Sequence, residues 1–162
     1  MNNYAVINGI RVELTDEQVK TLGVEVRKNP FERVDRGEDY FYINKYGDVD
    51  YYEHDKDFED DLLSQTANYF NDKDFAQQVA LYQLLYRKLL KFAYCNGCED
   101  TEWNGMNDHW LTVYYPLDDD FIITNAQCTK EHTVYFSTEE GASRAVTEVI
   151  EPFIKEHPEF VW

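Results

Sequence analysis

The chain lacks any apolar run near the ~18 residues that cross a bilayer, and its start, Met1-Asn2-Asn3-Tyr4, offers neither the basic nor the apolar stretch of a signal peptide. The expectation is a protein that stays where it is made. Cysteine is scarce, with three in all, an odd count that suits free thiols in a reducing compartment better than a disulfide frame. Patterns of common catalysis are missing too: no GxSxG, no glycine-rich phosphate loop, no HExxH and no dinucleotide fingerprint. The histidines, His54, His109, His132 and His157, are scattered. A general acid or base needs a carboxylate shifted by burial or neighbours, whereas runs such as Glu59-Asp60-Asp61 are normally solvated. These absences point away from an enzyme and call for no cofactor.

Basic residues are the next deficit. Among 162 residues there are 15 Lys and Arg against 32 Asp and Glu, for a net charge of −17. The surplus sits in blocks: residues 1–36 are neutral, 37–75 hold twelve acids against three bases, and 99–131 hold eight acids against one base. Between the acidic blocks, 76–98 has no acid and three bases, Arg87, Lys88 and Lys91. Such a field repels nucleic acid and anionic membrane and attracts basic surfaces. Direct nucleic-acid binding is excluded first, because phosphate contact needs a clustered cationic stripe.

Against these deficits stands a composition of 43% apolar and 16% aromatic residues, enough to bury one core. Comparison of the chain with itself shows its organisation. Residues 69–76, Tyr-Phe-Asn-Asp-Lys-Asp-Phe-Ala, match 135–142, Tyr-Phe-Ser-Thr-Glu-Glu-Gly-Ala, as Tyr-Phe-cap-x-x-acid-x-Ala. Both read as strand-to-helix junctions, with Asn71 and Ser137 as N-caps and Asp74 and Glu140 reaching back in a capping box. Phe70 and Phe75 fit a hydrophobic staple.

Strands are expected at 40–43 and 49–52 before the first junction, and at 110–115, 121–124 and 133–136 before and into the second. The first helix, about 72–94, shows a stripe of Phe75, Val79, Tyr82, Tyr86, Leu89 and Ala93, widened by Leu81, Leu85 and Phe92. The second, from about Thr138, is bent or ended by Pro152. Upstream, Asn8-Gly9 between two apolar runs reads as a two-residue hairpin. Thr15 with Gln18 opens a short helix, and Leu14 with Val19 staples it; Gly23 stops it.

The resulting expectation is an α+β chain, an N-terminal β-hairpin and short helix followed by two repeated β-β-β-α units, with helices packed on an antiparallel sheet. Its parts are 1–36, an appendix read as an extra layer or edge in preference to a binding hairpin; 37–98, the first unit; and 99–162, the second, in one compact domain.

Two metal patterns present themselves. Cys95-Asn96-Gly97-Cys98 with Cys128 and His132 supplies ligands that zinc accepts, but cysteines of this kind are more often small packed side chains, so no metal is assigned. An EF-hand over Asp55, Asp57 and Glu59 fails because Asp60 stands where the loop needs Gly and no correctly placed Glu closes it.

Strand alternation gives the acidic block a form. Residues two apart share a face at ~6.7 Å, so Asp48, Asp50 and Tyr52 line one side with Tyr40 and Tyr42, while Phe41, Ile43, Val49 and Tyr51 turn to the core. Asp55, Asp57, Glu59, Asp60 and Asp61 continue this surface, and Asp118, Asp119 and Asp120 form a second patch. A row of carboxylates offers a basic groove part of the charge pattern of a phosphate backbone, and Tyr can stack on Arg.

The runs 7–18, Asn29-Pro30-Phe31-Glu32-Arg33-Val34, Gly37 to Ile43, Asn68-Tyr69-Phe70 and Val134 to Glu140 resemble a widespread group of small acidic phage and prophage proteins of Firmicutes, almost end to end. The resemblance implies a viral protein in the host cytoplasm and brings no catalytic motif. Small acidic proteins of that setting include anti-CRISPR inhibitors. The expectation is therefore an inhibitor that mimics nucleic acid and occupies the cleft of a basic host protein, an RNA-guided nuclease. The alternative is a phage structural or adaptor module whose charge serves solubility.

Overall fold

Alternating strands joined by tight turns give three antiparallel hairpins in the computed structural model, which describes residues 3–7, 10–15, 17–18, 21, 29–98, 103–118 and 120–161. β1 (Asn3–Ile7) pairs with β2 (Ile10–Leu14), β3 (Asp39–Ile43) with β4 (Val49–Glu53), and β5 (His109–Tyr115) with β6 (Asp120–Ala126). Residues 17, 18 and 21 are helical, and further along the described residues form α1 (Phe58–Gln65), α2 (Lys73–Cys95), α3 (Glu139–Ala145) and α4 (Glu151–Glu156). The chain is thus α+β. Its described strands form separate two-stranded sheets, so the two units do not share a sheet among the described residues, a point the sequence leaves open, and the β3–β4 and β5–β6 hairpins pack on helices.

Register Ile7↔Ile10 leaves two residues, 8–9, for the first turn; the Asn8-Gly9 turn itself lies outside the described residues, as do Val19 and Gly23. Thr15 and Gln18 exchange the two bonds of a capping box, Thr15 N–H to Gln18 Oε1 at 2.8 Å and Gln18 N–H to Thr15 Oγ1 at 3.3 Å. Residues 29–36, assigned to the appendix, are instead tied to the first unit. Asn71 donates its side-chain amide to the carbonyls of Asn29 (2.9 Å) and Glu32 (2.8 Å), and Phe31 packs on Phe70 and Phe75 with ring centroids 5.3 and 5.5 Å away.

The segments expected as third strands are each reduced to one bridge, Phe41↔Phe70 and Trp110↔Phe136. Beside the first bridge the Asn68 side chain continues the ladder: Ile43 N–H donates to Asn68 Oδ1 and Asn68 Nδ2 donates to Ile43 O, both at 2.9 Å. A side-chain amide presents one acceptor and two donors, so it substitutes for a strand residue.

Both long-helix caps fall one residue later than expected. Asp72 accepts from Phe75 N–H at 3.0 Å and Thr138 from Gly141 N–H at 3.0 Å. Asn71 is already committed to the 29–32 loop, which leaves the next residue to satisfy the helix start. With the caps moved, Asp74 and Glu140 no longer occupy the N3 position of a capping box.

α2 is the spine. It buries Ala76, Ala80, Leu81, Leu85, Leu89 and Ala93, and the lower part of that face packs with Val134, Phe136, Ala142, Ala145, Ile150, Phe153 and Phe160. Small Ala142 and Ala145 let α3 approach closely, while Phe153 fills the space beyond. Tyr82 and Tyr86, expected in the core stripe, are 57% and 41% exposed; the buried row runs one residue earlier, along 81, 85 and 89. Gln78 holds the C-terminal segment, donating to Glu159 O at 2.7 Å and accepting from Val161 N–H at 2.9 Å.

Pro152 does not end the second helix. It lacks the N–H that would serve the carbonyl four residues back, and the chain answers with a π turn over Val146–Ile150, in which Glu151 N–H reaches Val146 O. α4 then continues with Pro152 in its first turn. No described helix is long and apolar enough to cross a membrane.

Candidate functional site

α1 gives the acidic block its shape, and it is absent from the sequence-based expectation. Asp57 is its N-cap: the Asp57 carboxylate accepts from Asp60 N–H at 3.0 Å, and Asp60 Oδ2 accepts in return from Asp57 N–H at 3.3 Å. Glu59, Asp60 and Asp61 occupy the first turn, where the helix dipole favours negative charge. The Asp57-x-x-Asp60 spacing is the signal that marks this helix start in the sequence.

Asp60 does more than cap. Besides Asp57, the backbone N–H groups of Asp55 (3.0 Å) and Lys56 (2.6 Å) converge on the same oxygen, forming an anion-holding nest filled by the chain's own carboxylate. Lys56 adopts φ 62° to point its N–H there, a left-handed conformation uncommon for a non-glycine residue. His54 Nδ1 lies 2.9 Å from Asp60 Oδ2, near enough for an ion-pair contact though not aligned as a hydrogen bond. The Tyr40 hydroxyl also faces this carboxylate without full hydrogen-bond geometry.

All three are sealed: Tyr40 and Asp60 are 0% and His54 2% exposed. Tyr40 stacks on Tyr69 with centroids 4.0 Å apart, and His54 meets both rings edge-on. Burial pushes the Tyr40 phenol well above its ordinary value, and the negative charge of Asp60 adds to that. Burial also pushes Asp60 upward, but the Tyr40 hydroxyl, the backbone donors and His54 outweigh it, leaving the carboxyl below its ordinary value. Tyr69 is raised, chiefly by burial, although its hydroxyl accepts from Val34 N–H at 3.2 Å.

Tyr40 and Asp60, expected on the partner-binding surface, are both corrected to interior positions. The expected alternation is right in register, with Tyr40↔Tyr52 and Tyr42↔Asp50 on one side, but α1 and Tyr69 close over the Tyr40 end. The outer end stays open. There Tyr42 pairs with Asp50 beside Tyr52, which is 47% exposed, and burial first, then the charges of Asp50 and Glu59, raise Tyr42. On the opposite side Tyr51, expected toward the core, is 64% exposed.

The remaining acidic positions differ in how much of their charge is free. Asp48, Asp57 and Glu59 are exposed. Asp61 is engaged by Arg33 at 2.7 Å, and Asp55 lies 3.9 Å from Arg36. Asp118 and Asp120 are exposed at the β5–β6 turn; Asp119 lies outside the described residues. The face that survives is therefore Tyr42, Asp48, Asp50, Tyr52, Asp57 and Glu59, mounted on a hairpin and a helix start that the Asp60 nest locks together.

The zinc pattern does not assemble. Cys98 Sγ donates to Tyr135 O at 3.0 Å, and Cys95 and Cys128 are exposed free thiols. Among the described residues no group of three or more His, Cys, Asp or Glu is placed to hold a metal ion.

The β3–β4 and β5–β6 hairpins pack on helices, with an acidic tyrosine-bearing face on β3–β4. Comparison with protein-family models, curated proteins and solved structures finds no match to this chain.

Proposed function

We propose that the chain inhibits a nucleic-acid-handling protein by placing its acidic face in that protein's basic cleft, as a substitute for phosphate. The observation that carries this reading is the pairing that sets Tyr42, Asp50 and Tyr52 on one side of the β3–β4 hairpin, with exposed Glu59 in the first turn of α1. A preorganised carboxylate row loses little freedom on binding, and flanking tyrosines supply ring faces for arginine. The resemblance to small acidic phage proteins supports a target in bacterial defence, an RNA-guided nuclease, met in the host cytoplasm. The reading requires no cofactor and no chemistry by the chain itself.

We further infer that the two halves derive from one β-β-β-α module. The bridges correspond, Phe41↔Phe70 to Trp110↔Phe136, and so do the residues before them. Tyr40 with Tyr69 corresponds to His109 with Tyr135, whose rings are 6.1 Å apart and edge-on. Trp103 stacks on His109 at 3.7 Å.

The experiment is binding of the purified chain to an RNA-guided nuclease carrying its guide, titrated at rising ionic strength. The reading expects a one-to-one complex that weakens steeply with salt. Reversal of Asp48, Asp50, Asp57 and Glu59 to Lys should abolish it. An adaptor protein would instead bind phage proteins with little salt dependence, and a complex indifferent to the four reversals rules out the mimic.

A further inference from the structure

The residues displaced from the core stripe of α2 form a surface of their own. Tyr82, Tyr86, Leu90 and Tyr94 succeed one another at four-residue intervals and are 57%, 41%, 37% and 60% exposed, a continuous ridge about 18 Å long at 1.5 Å per residue. Packing does not require it, since Leu81, Leu85 and Leu89 already fill the core. Beside the ridge runs a groove whose far wall is the extended segment 132–137, with its largest hollow about 190 Å³. None of the residues lining this groove carries a carboxylate; its basic side chains are Lys130, His109 and His132. In a chain with 32 acidic residues that exclusion is a physical statement about what can dock here.

We propose that this surface is the contact between two copies of the chain, an antiparallel α2–α2 pairing about a two-fold axis near residue 88. Two features select a second copy as the occupant. Molecules of net charge −17 repel over most of their surfaces, and a carboxylate-free patch is where they can meet without juxtaposing acids. A ridge lying alongside a groove is also self-complementary: under a two-fold, each copy's ridge enters the other's groove, the isologous geometry of a homodimer. In this register Tyr82 lies level with the partner's Tyr94 and Tyr86 with the partner's Leu90. At about 200 Å² per tyrosine the ridge contributes roughly 400 Å² per copy, half of a standard interface side. The 132–137 wall must supply the rest, so the dimer is a concentration-dependent one.

Sedimentation of the full chain over a concentration series, at low and high salt, tests this. The expected result is a monomer–dimer equilibrium that strengthens with salt, because screening relieves repulsion between two anions. Leu90→Glu and Tyr94→Glu, both on the exposed ridge, should give monomers with unchanged circular dichroism, whereas Tyr51→Glu on the β3–β4 hairpin should leave the dimer intact. A chain that is monomeric at every concentration and salt overturns the proposal, as does a dimer that persists in both ridge variants. The salt response also runs opposite to that of the inhibitor complex, so the two readings fail separately.

Discussion

Replacing Asp60 by Asn preserves the side chain's shape and removes its charge, which isolates the electrostatics of the buried cluster from its packing. The expected cost is about 2 to 3 kcal/mol, since charge-assisted bonds from the nest are lost in a dry site, read by denaturant unfolding at neutral pH. The same group sets the acid limb of stability. Its folded pKa lies below the ordinary 3.8, so its contribution is full above that value and disappears as pH falls through the folded value. Tyr40 sets an opposite limb. Its folded pKa is raised above the ordinary 10.0, so the folded state prefers the neutral phenol, and stability is lost as pH climbs above 10 toward the folded value. Tyr69, raised as well, adds to the same limb. Unfolding curves across pH should therefore slope at both ends, with Asp60→Asn flattening the acid end and Tyr40→Phe the alkaline one. Neither burial is legible in the sequence. Alternation correctly pairs Tyr40 with Tyr52, but a period-two pattern carries no information on which end of a hairpin a neighbouring helix will cover, and Asp60 reads as one more member of a charged run.

At the scale of elements, pattern predicts strands and the long helix well and their ends less well. β3 to β6 begin and end within a residue or two of expectation, because turn residues and β-branched or aromatic runs coincide there. α1 escapes the pattern because its eight residues are too few to show amphipathic periodicity, leaving the Asp57-x-x-Asp60 cap as its only mark. α2 is legible, but its apolar residues cover two adjacent rows, and periodicity does not decide which row faces inward; the aliphatic row 81, 85 and 89 wins over the tyrosines, whose hydroxyls keep contact with water. Leu85→Ala should accordingly cost about 2 to 5 kcal/mol, while Tyr82→Ala should cost a fraction of that by thermal or chemical unfolding. The end of α1 supplies a test in the other direction. Ala67 sits at φ 53°, and Asn68 N–H closes the turn onto Leu63 O at 2.8 Å, a helix end that usually takes glycine. Ala67→Gly should raise stability by about 0.5 to 1 kcal/mol, the left-handed strain relieved exceeding the added freedom of the unfolded chain.

For the molecule as a whole, the size and sign of the charge are legible in the composition, whereas its arrangement in space is not. A net −17 repels itself in the folded state, so sodium chloride should raise the melting temperature of the isolated chain while weakening the complex proposed for its acidic face. Arg33 and Arg36 take up part of the charge of Asp61 and Asp55, while Asp48, Asp50 and Glu59 stay exposed and Asp57, also exposed, caps α1. The proposal that these imitate phosphate is tested most directly by competition: displacement of labelled double-stranded DNA from a guide-loaded RNA-guided nuclease by the wild-type chain and by the Asp50→Lys, Glu59→Lys double variant. The account predicts stoichiometric displacement by the wild type at low salt, fading as salt rises, and none by the double variant at unchanged circular dichroism. Failure of the wild type to displace DNA, or equal displacement by the variant, would contradict it.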